Sequence, residues 1–430
     1  MSKNEKIYLD CAATTPVDPE VVLAMEPYWS EIYANPGSLH ICGQEAMKAI
    51  DESRETLQKF LGAKTPREII FTGSATEANN LAIFGAVWGN SENPFRKHSL
   101  VQRIAHSVSP SDSAEGGNHA RSAAKVLEKD ISSLPKIITT AIEHPSVLEP
   151  IRQLAERGEV EVVYLGVDKD GLINLEELKN SIDENTFLVS IGYANNEIGT
   201  IQPIAEAVKI VKEFNKKIIF HTDAVQAIQF LESNVQKLGV DLMTISAHKI
   251  YGPKGIGALY VRDGVGLEPI IYGGGQEYGL RSGTENAPLI VGFAKAVDIL
   301  ASWKSDFKNI QKIKELRDYL WQKIKIRTSD VRINGAMRDK MGDKRLPNNL
   351  NIHIPHVDGE AMLVALSEAG ICVSSGSACA SRSQKPSHVI SAIGGTHEGL
   401  NLRVTFGRQT VERDINLFLE ILNKKIPRIG

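Results

Sequence analysis

The sequence predicts an α/β protein whose mostly parallel sheet is covered by helices on both faces. Short apolar segments alternate with amphipathic helical segments between residues 68 and 300, which is the pattern of repeated βα units. Polar clusters directly follow several of the apolar segments. Because ligands of such sheets bind beyond the carboxyl ends of the strands, these clusters predict a functional site at that edge.

The individual elements follow in an order typical of this class. Residues 18–61 are predicted to be mostly helical, and Gly62 is a helix-terminating signal. The first buried strand is predicted in EIIFTG at residues 68–73, and a helix with polar residues at its start follows it. Further strands and helices are predicted in IITTAIEH, SVLEPIRQLAERG, VEVVYLGV, LEELKNSI, FLVSIGYANNE, IAEAVKIVKEFN, KIIFHTDAVQ and DLMTISAHK.

Two regions depart from the alternation. Residues 91–134 are rich in serine and weakly apolar, so we expect a surface insertion, either a tolerated loop or a regulatory or docking segment. After residue 300, a lysine-rich helical stretch leads to mixed strand and helix segments. We therefore expect a large domain at residues 16–300 and a small α+β domain formed by residues 1–15 and 301–430.

Composition excludes several classes of protein. Of the 430 residues, 42% are hydrophobic and 23% are charged, which excludes a collagen, a coiled coil and a globally disordered chain. The net charge of −3 gives no electrostatic reason to bind nucleic acid or an anionic membrane. No apolar run approaches the roughly 20 residues that span a bilayer. The N-terminal segment lacks the apolar core of a secretory signal, so we expect a cytoplasmic protein.

The cysteines and histidines indicate neither a disulfide framework nor a resident metal. The cysteines are Cys11, Cys42, Cys372 and Cys379. They are few and scattered and form no CxxC pair, so we expect no structural zinc site. Cys379 lies among small residues in SSGSACAS, which leaves its thiol sterically open, whereas Cys372 in the apolar ICV is interpreted as a packed thiol. His353 and His356 lie near a strand end without a third ligand, so we predict no metal.

Three further motifs carry candidate chemistry, and each has a simpler interpretation. Asp223 in HTDAVQ follows an apolar strand, where a carboxylate needs a cationic or protonated partner, or it caps a helix. Lys249 in SAHKIYGPKGIG precedes a glycine-rich turn, where a desolvated lysine can form a Schiff base. GSATEANN can hold a phosphate with backbone N–H groups and a threonine hydroxyl, or it caps a helix through Ser74 or Thr76.

Ten motifs occur in one order along the chain, namely YLDCAATTP, NPGSLH, FTGSATEANN, EHPSV, NNEIG, HTDAVQ, SAHKIYGPKGIG, GGGQEYGLRSGTEN, SSGSACAS and LRVTFGR. This series resembles that of the cysteine desulfurases, sulfurtransferases of the class V aminotransferase group that use pyridoxal 5′-phosphate. The resemblance covers nearly the whole chain except residues 91–134. It implies a type I pyridoxal-phosphate transferase fold, with a seven-stranded, mostly parallel sheet in a large domain, a smaller domain, and a homodimer. The SSGSAC loop resembles the long-loop group, which commonly serves iron–sulfur cluster assembly.

The resemblance implies a cofactor role for each matching residue. Lys249 would hold pyridoxal phosphate as a Schiff base, and Asp223 would pair with its ring nitrogen. His144 would stack on the ring and could shuttle protons, and Gln226 would bond to the phenolic oxygen. The residues implied for the phosphate are Thr76, Ser246, His248 and, from the partner subunit, Thr284.

The resemblance also implies a substrate and a reaction. Asn196 and Arg403 would bind the carboxylate of L-cysteine, since arginine suits this planar group. The Cys379 thiolate would attack the substrate sulfur, which leaves alanine and a persulfide for a sulfur-acceptor protein in iron–sulfur cluster assembly or tRNA thiolation. Three alternatives stay open: a selenocysteine lyase, another aminotransferase-like enzyme with this cofactor, and a non-enzymatic assembly scaffold.

Some positions depart from the usual family pattern. Cys11 stands where asparagine or tyrosine is usual, and we expect it to pack harmlessly. GSAT reverses the usual SGAT order, although Thr76 still aligns. Tyr278 replaces a commonly basic residue, which we expect to alter the dimer-side surface. Some selenocysteine lyases carry extra length comparable to residues 91–134, which keeps selenocysteine open as the preferred substrate.

Overall fold

The structure is a computed structural model that describes residues 6–89, 134–327, 330–336, 344–376 and 386–425. The predicted insertion at residues 91–134, apart from Leu134, lies outside the described residues, and so does Cys379. Within the described ranges, no helix combines the length and apolar character needed to cross a membrane.

The strands and helices follow the order that the sequence predicts. The strands are β1 (Ile7–Tyr8), β2 (Ile69–Thr72), β3 (Lys136–Thr140), β4 (Glu161–Leu165), β5 (Thr186–Ser190), β6 (Ile219–Asp223), β7 (Leu242–Ser246), β8 (Gly257–Val261), β9 (Arg332–Ile333), β10 (Asn349–Ile354), β11 (Ile371–Cys372) and β12 (Leu400–Thr405). The helices are α1 (Pro19–Met25), α2 (Pro27–Ser30), α3 (Ile41–Leu61), α4 (Ala75–Gly89), α5 (Pro145–Glu156), α6 (Leu175–Ser181), α7 (Ile204–Phe214), α8 (Val235–Leu238), α9 (Ala287–Ser305), α10 (Phe307–Arg327), α11 (Gly359–Glu368), α12 (His388–Ala392) and α13 (Glu412–Lys425).

The central sheet has seven strands in the order β2-β8-β7-β6-β5-β3-β4. Strand β8 runs antiparallel to both of its neighbours, and the remaining neighbouring pairs are parallel. Every residue of β2, β3, β7 and β8 is buried, as expected for a sheet covered on both faces. The predicted α/β class with a mostly parallel sheet is therefore confirmed.

The helical start of the chain follows local capping signals. The Asp18 side chain accepts the N–H of Glu20 and caps α1. Helix α3 ends at Gly62, whose φ of +65° is left-handed, and a Cβ there would lie 2.3 Å from the Asn234 side chain. Residues 31–40 interrupt the predicted helical region, because Pro36 and Gly37 disfavour a helix there.

The C-terminal part of the chain forms a second, smaller layer. Strands β9, β10 and β12 make an antiparallel sheet in the order β12-β10-β9, and β1 pairs in parallel with β11. Asp10 forms an isolated bridge with Thr405, so residues of the N-terminus pack with the C-terminal strands. One apolar cluster joins both regions and includes Phe220, Phe293 and Phe418. The domain boundaries at residues 16–300 and 301–430 stay a prediction.

Candidate active site

A pocket of about 220 Å³ lies beyond the carboxyl ends of the central parallel strands. Most of the site residues predicted from sequence line it, namely Thr76, His144, Asn196, Asp223, Gln226, His248, Lys249 and Arg403. They meet because β3, β5, β6 and β7 end at one edge of the sheet. Ser246 is buried at the end of β7, and Thr284 lines a separate hollow of the same chain. That Thr284 binds the cofactor phosphate in the site of the partner subunit stays a prediction.

Lys249 ends a single 3-10 turn that directly follows β7. Its Nζ donates hydrogen bonds to the carbonyl oxygens of Ala12 at 2.5 Å and Ala13 at 2.8 Å. The Gln226 side-chain amide donates to the same Ala12 carbonyl at 3.0 Å. The N–H of Thr15 in turn donates to the carbonyl of His248 at 3.0 Å, so this N-terminal segment is attached to the turn. These bonds hold the Lys249 amine at the pocket wall, where it can form a Schiff base.

Asp223 is the last residue of β6, and its carboxylate is oriented by donors on two sides. Oδ1 accepts the backbone N–H of Val225 at 3.0 Å, and Oδ2 accepts the side-chain amide of Asn79 at 2.8 Å. A carboxylate held in this way can pair with a protonated ring nitrogen of a cofactor.

His144 caps the start of α5 with its ring. Nδ1 accepts the backbone N–H of Ser146 at 3.1 Å and lies 2.7 Å from the Ser146 Oγ. Burial lowers the pKa of His144 below its ordinary value; the Asp223 carboxylate opposes this effect, whereas Lys249 and His388 add to it. A neutral imidazole therefore lies at the pocket wall, where its flat ring can stack on an aromatic cofactor.

Two other histidines of the motifs have different surroundings. Burial lowers the pKa of His248 to about 4, helped by Lys249 and Lys254, so this ring is neutral at pH 7 and serves as a hydrogen-bond partner, not as a cation. His221 is completely buried, and its two ring nitrogens lie 2.8 Å from Ser190 Oγ and 3.1 Å from Thr244 Oγ1. His221 therefore links β5, β6 and β7 within the sheet.

The start of α4 forms the end of the pocket that suits a phosphate. The Ser74 Oγ accepts the N–H of Glu77 at 3.1 Å, which is the capping role that the sequence left open, and Thr76 lines the pocket. A Cβ at Gly257 would lie 2.7 Å from the Ser74 carbonyl carbon, so only glycine lets β8 run this close. The helix start supplies backbone N–H groups and a positive dipole end to an anion.

Arg403 lies on β12 and is 1% exposed. Its Nη2 donates to Asp10 Oδ1 at 2.8 Å, and its Nη1 donates to the Asn196 carbonyl at 3.1 Å. The buried Nε has no hydrogen-bond partner among the described residues. A buried guanidinium with donors left over beside a pocket fits an anionic ligand such as a carboxylate.

Together these groups fit pyridoxal phosphate. A lysine amine, an oriented carboxylate, a neutral flat imidazole and a helix start are the partners of its aldehyde, ring nitrogen, ring face and phosphate. A metal has no comparable donor set here: among the described residues, no group of three or more His, Cys, Asp and Glu side chains is placed to hold an ion.

Comparison with known proteins agrees with this geometry. The model of the Aminotransferase class-V family matches residues 7–98 and 115–418. The chain belongs to this family. It is 42% identical over 426 residues to the cysteine desulfurase IscS of Dictyoglomus turgidum, which covers 99% of this chain and 95% of that protein. It is 39% identical to the cysteine desulfurase IscS 1 of Archaeoglobus fulgidus, with 98% and 97% covered.

Solved structures give the same result. A NifS-like protein superposes with a TM-score of 0.79 at 35% identity, and the match covers 98% of this chain and 99% of the other. A structure of SspA in complex with cysteine has a TM-score of 0.72 at 34% identity, with 95% and 100% covered. The resemblance to pyridoxal-phosphate-dependent cysteine desulfurases and the predicted fold are thereby confirmed.

The structure adds residues around the pocket to which sequence reasoning gave no role. Asp10 pairs with Arg403, and Asn79 and Ser146 connect Asp223 to His144. All three lie within motifs quoted above, but nothing in the motifs indicates their distant partners.

Glu143 is a further addition, beside His144. Its Oε1 accepts the Thr140 hydroxyl at 2.6 Å and the Gly192 N–H at 2.9 Å. Burial raises the pKa of Glu143 to about 7, and the hydrogen bonds from Gly192 and Thr140 oppose this effect. Its hydrogen bonds join the end of β3 to the segment after β5, and both segments carry pocket residues.

The structure shows the surroundings of Cys11 and Tyr278, two residues that depart from the family pattern. Cys11 is buried, and burial together with the Asp10 charge raises the pKa of its thiol to about 12, so Cys11 is not a thiolate at neutral pH. Tyr278 is half-exposed, with the guanidinium carbons of Arg54 and Arg67 at 5.2 Å and 5.7 Å from its ring centre. Cys372 on β11 is only partly buried, less than its apolar neighbours predicted.

Proposed function

We propose that this protein is a pyridoxal-phosphate-dependent cysteine desulfurase that converts L-cysteine to L-alanine and forms a persulfide on Cys379. The observation that carries the proposal is that the Lys249 amine, the Asp223 carboxylate and the Arg403 guanidinium line one pocket. The curated relatives named above are cysteine desulfurases, and SspA, a structural neighbour, is described in complex with cysteine. The small residues of SSGSACAS leave Cys379 open to react.

The residues of the pocket divide the work on the substrate. Pyridoxal phosphate, when bound, supplies an electron sink for the electron pair left at the substrate Cα. Arg403 orients the substrate carboxylate through N–H groups that its bonds to Asp10 and Asn196 hold in place. The Lys249 amine removes the Cα proton, and Asp223 keeps the cofactor ring nitrogen protonated.

The sulfur step needs a thiol, and it balances without an outside oxidant. The Cys379 thiolate attacks the substrate sulfur, and a sulfur–sulfur bond forms as the bond between Cβ and sulfur breaks. The electron pair of the broken bond stays with Cβ, which takes a proton, so alanine is the organic product. The substrate sulfur stays bonded to the Cys379 sulfur as a persulfide.

The persulfide requires a consumer. We propose that it passes in the cytoplasm to a sulfur-acceptor protein, either an iron–sulfur scaffold or a protein of tRNA thiolation. The resemblance of SSGSAC to the long-loop group supports the first of these. Co-purification and transfer of labelled sulfur from the loaded enzyme to a candidate acceptor would distinguish the two.

We propose that the enzyme acts as a homodimer. The segment from α1 to the start of α3 leaves large apolar side chains in water, namely Val22, Leu23, Trp29, Tyr33, Leu39 and Ile41. Leu39 is 91% exposed, and a second copy would remove such a surface from water. Sedimentation of the holoenzyme at micromolar concentration is expected to give a dimer, and a monomer across that range would contradict it.

The test of the proposed activity compares alanine and sulfide formed from L-cysteine in the presence of a thiol reductant. The wild-type enzyme is expected to give equal amounts, and Cys379→Ala is expected to give neither. Cys372→Ala is the matched control, since it removes a thiol that does not line the pocket, and it is expected to keep wild-type turnover.

The same assay separates the alternatives. Turnover that survives Cys379→Ala would favour an aminotransferase-like reaction or a selenocysteine lyase. A much higher rate on selenocysteine than on cysteine would favour the lyase. A protein that binds the cofactor but converts neither amino acid would favour the assembly scaffold.

A further inference from the structure

A chain of hydrogen bonds joins the two cofactor-facing residues Asp223 and His144 through two residues without an assigned role. Asn79 lies on α4 and is completely buried. Its Nδ2 donates to Asp223 Oδ2 and to Ser146 Oγ, each at 2.8 Å. Ser146 Oγ in turn lies 2.7 Å from the Nδ1 of His144.

The direction of each bond in this chain is fixed by chemistry. A charged carboxylate oxygen only accepts, so the Asn79 group that faces Asp223 must be its amide nitrogen. The Asn79 Oδ1 is buried without a partner among the described residues, which is unfavourable by itself. The amide nevertheless keeps this orientation, because a flip would bring its oxygen against the Asp223 carboxylate.

The fixed amide determines the direction of the Ser146 hydroxyl hydrogen, and this hydroxyl determines the tautomer of the imidazole. Ser146 Oγ accepts from Asn79, so its own hydrogen is available to His144 Nδ1. The backbone N–H of Ser146 also points to Nδ1, at 3.1 Å. Because Nδ1 accepts, the single proton of the neutral ring lies on Nε2.

We propose that Asn79 is a positioning residue that orients the Asp223 carboxylate and, through Ser146, keeps the proton of His144 on Nε2. The inference rests on the proposed function, because the tautomer of His144 matters to the reaction only if this ring faces the bound cofactor. In this tautomer Nε2 carries a hydrogen-bond donor, whereas in the other tautomer Nε2 is an acceptor.

The charged and titratable groups around His144 come from several elements. Asp223 at the end of β6 favours a protonated ring, and Lys249 after β7 and His388 on α12 disfavour it. Glu143 is the adjacent residue on the chain and is itself buried. The Ser146 hydroxyl bonds to the neutral form of the ring, so its removal raises the pKa of His144 against this background.

Two single variants separate the two roles of Asn79. Asn79→Ala removes the donor to Asp223 and releases the Ser146 hydroxyl, whereas Ser146→Ala removes the hydroxyl that joins Asn79 to His144 and keeps the Asn79 donor to Asp223. Asn80→Ala is the matched control, because that side chain bonds to the Thr76 carbonyl on its own helix and does not line the pocket. Melting temperatures show which variants are folded, and Ser146→Ala keeps the test possible if Asn79→Ala is not.

The readouts are the retention of pyridoxal phosphate by diluted holoenzyme, the visible absorbance of the bound cofactor against pH, and the pH profile of kcat. In both variants the pKa of His144 is expected to rise. The fall of kcat and the change of absorbance on the acidic side of the pH profile (the acidic limb) are therefore expected to move to higher pH by roughly one unit. Asn79→Ala is also expected to lose cofactor roughly tenfold faster than wild type, because Asp223 loses a donor. The double variant is expected to move the acidic limb no further than either single variant.

Three results would overturn the inference. They are a wild-type acidic limb in both folded variants, an additive shift in the double variant, and a shift of the same size in Asn80→Ala. The absorbance titration needs no turnover. It therefore reports on Asn79 and Ser146 even if L-cysteine is not the substrate, which separates a failure here from a failure of the proposed function.

Discussion

Lys249→Ala is expected to abolish covalent cofactor attachment and to reduce alanine formation roughly 10²- to 10⁴-fold. The amine serves twice: it attaches the cofactor, and it removes the substrate Cα proton. Among the described residues no other lysine lines this pocket, and Lys254, the next lysine along the chain, is exposed. The visible absorbance of the purified variant and alanine formed from L-cysteine check both effects.

Lys254→Ala is the matched control for this variant. It removes the same charge and side chain five positions further along the chain. We expect it to retain the cofactor and to turn over at a rate close to that of the wild type. Full activity in Lys249→Ala, or equal loss in both variants, would show that the pocket had been assigned to the wrong amine.

Arg403→Ala is expected to raise the KM for L-cysteine roughly 10²-fold, because the substrate carboxylate loses its buried partner. The same change removes the cationic partner of the Asp10 carboxylate, which keeps its hydrogen bond from the Ser374 hydroxyl, and lowers the free energy of unfolding by about 3 kcal/mol. Titration of the rate with L-cysteine measures the first effect, and thermal or urea unfolding measures the second.

Two companion variants separate binding from stability. Arg403→Lys keeps the charge but loses the planar fork, so we expect a KM increase of about tenfold with less loss of stability. Adding Asp10→Asn to Arg403→Ala neutralises the carboxylate that has lost its cationic partner, so stability is expected to recover while KM stays high. An unchanged KM in all three variants would place the carboxylate site elsewhere.

Local patterns in the sequence were sufficient for the α/β class and for the residues of the strand edge. The period of the apolar segments predicted the sheet and marked Asp223 and Lys249 as candidates near the ends of two strands, whereas their roles toward the cofactor were implied by the family resemblance. The helix cap at Ser74 was also one of the two interpretations of GSATEANN, beside a phosphate site. Each of these features is decided by residues close together in the chain.

The partners that orient these groups could not be predicted in the same way. Asp10 and Arg403 are 393 residues apart, and Asn79 and Asp223 are 144 residues apart. Their pairing depends on the order of strands in the sheet and on the return of the N-terminus to the C-terminal strands, which no single stretch of sequence contains.

These partners also explain how the charged side chains of the pocket are stabilised although they are largely buried. Arg403 is tied to Asp10, Asp223 receives two donors, and His144 and His248 are kept neutral by burial. Fixed donors and acceptors of this kind bind a charged ligand without reorganising when it arrives. The site is therefore oriented by residues around it and completed by the cofactor and the substrate.

The most direct test of the sulfur chemistry mixes the holoenzyme with one equivalent of L-cysteine without reductant, then digests the protein and measures peptide masses. The peptide that contains Cys379 is expected to gain one sulfur atom, with an equal amount of alanine released. Peptides with Cys11, Cys42 and Cys372 are expected to keep their masses. Alanine formed while the added sulfur lies on another cysteine, or on none, would contradict the assignment.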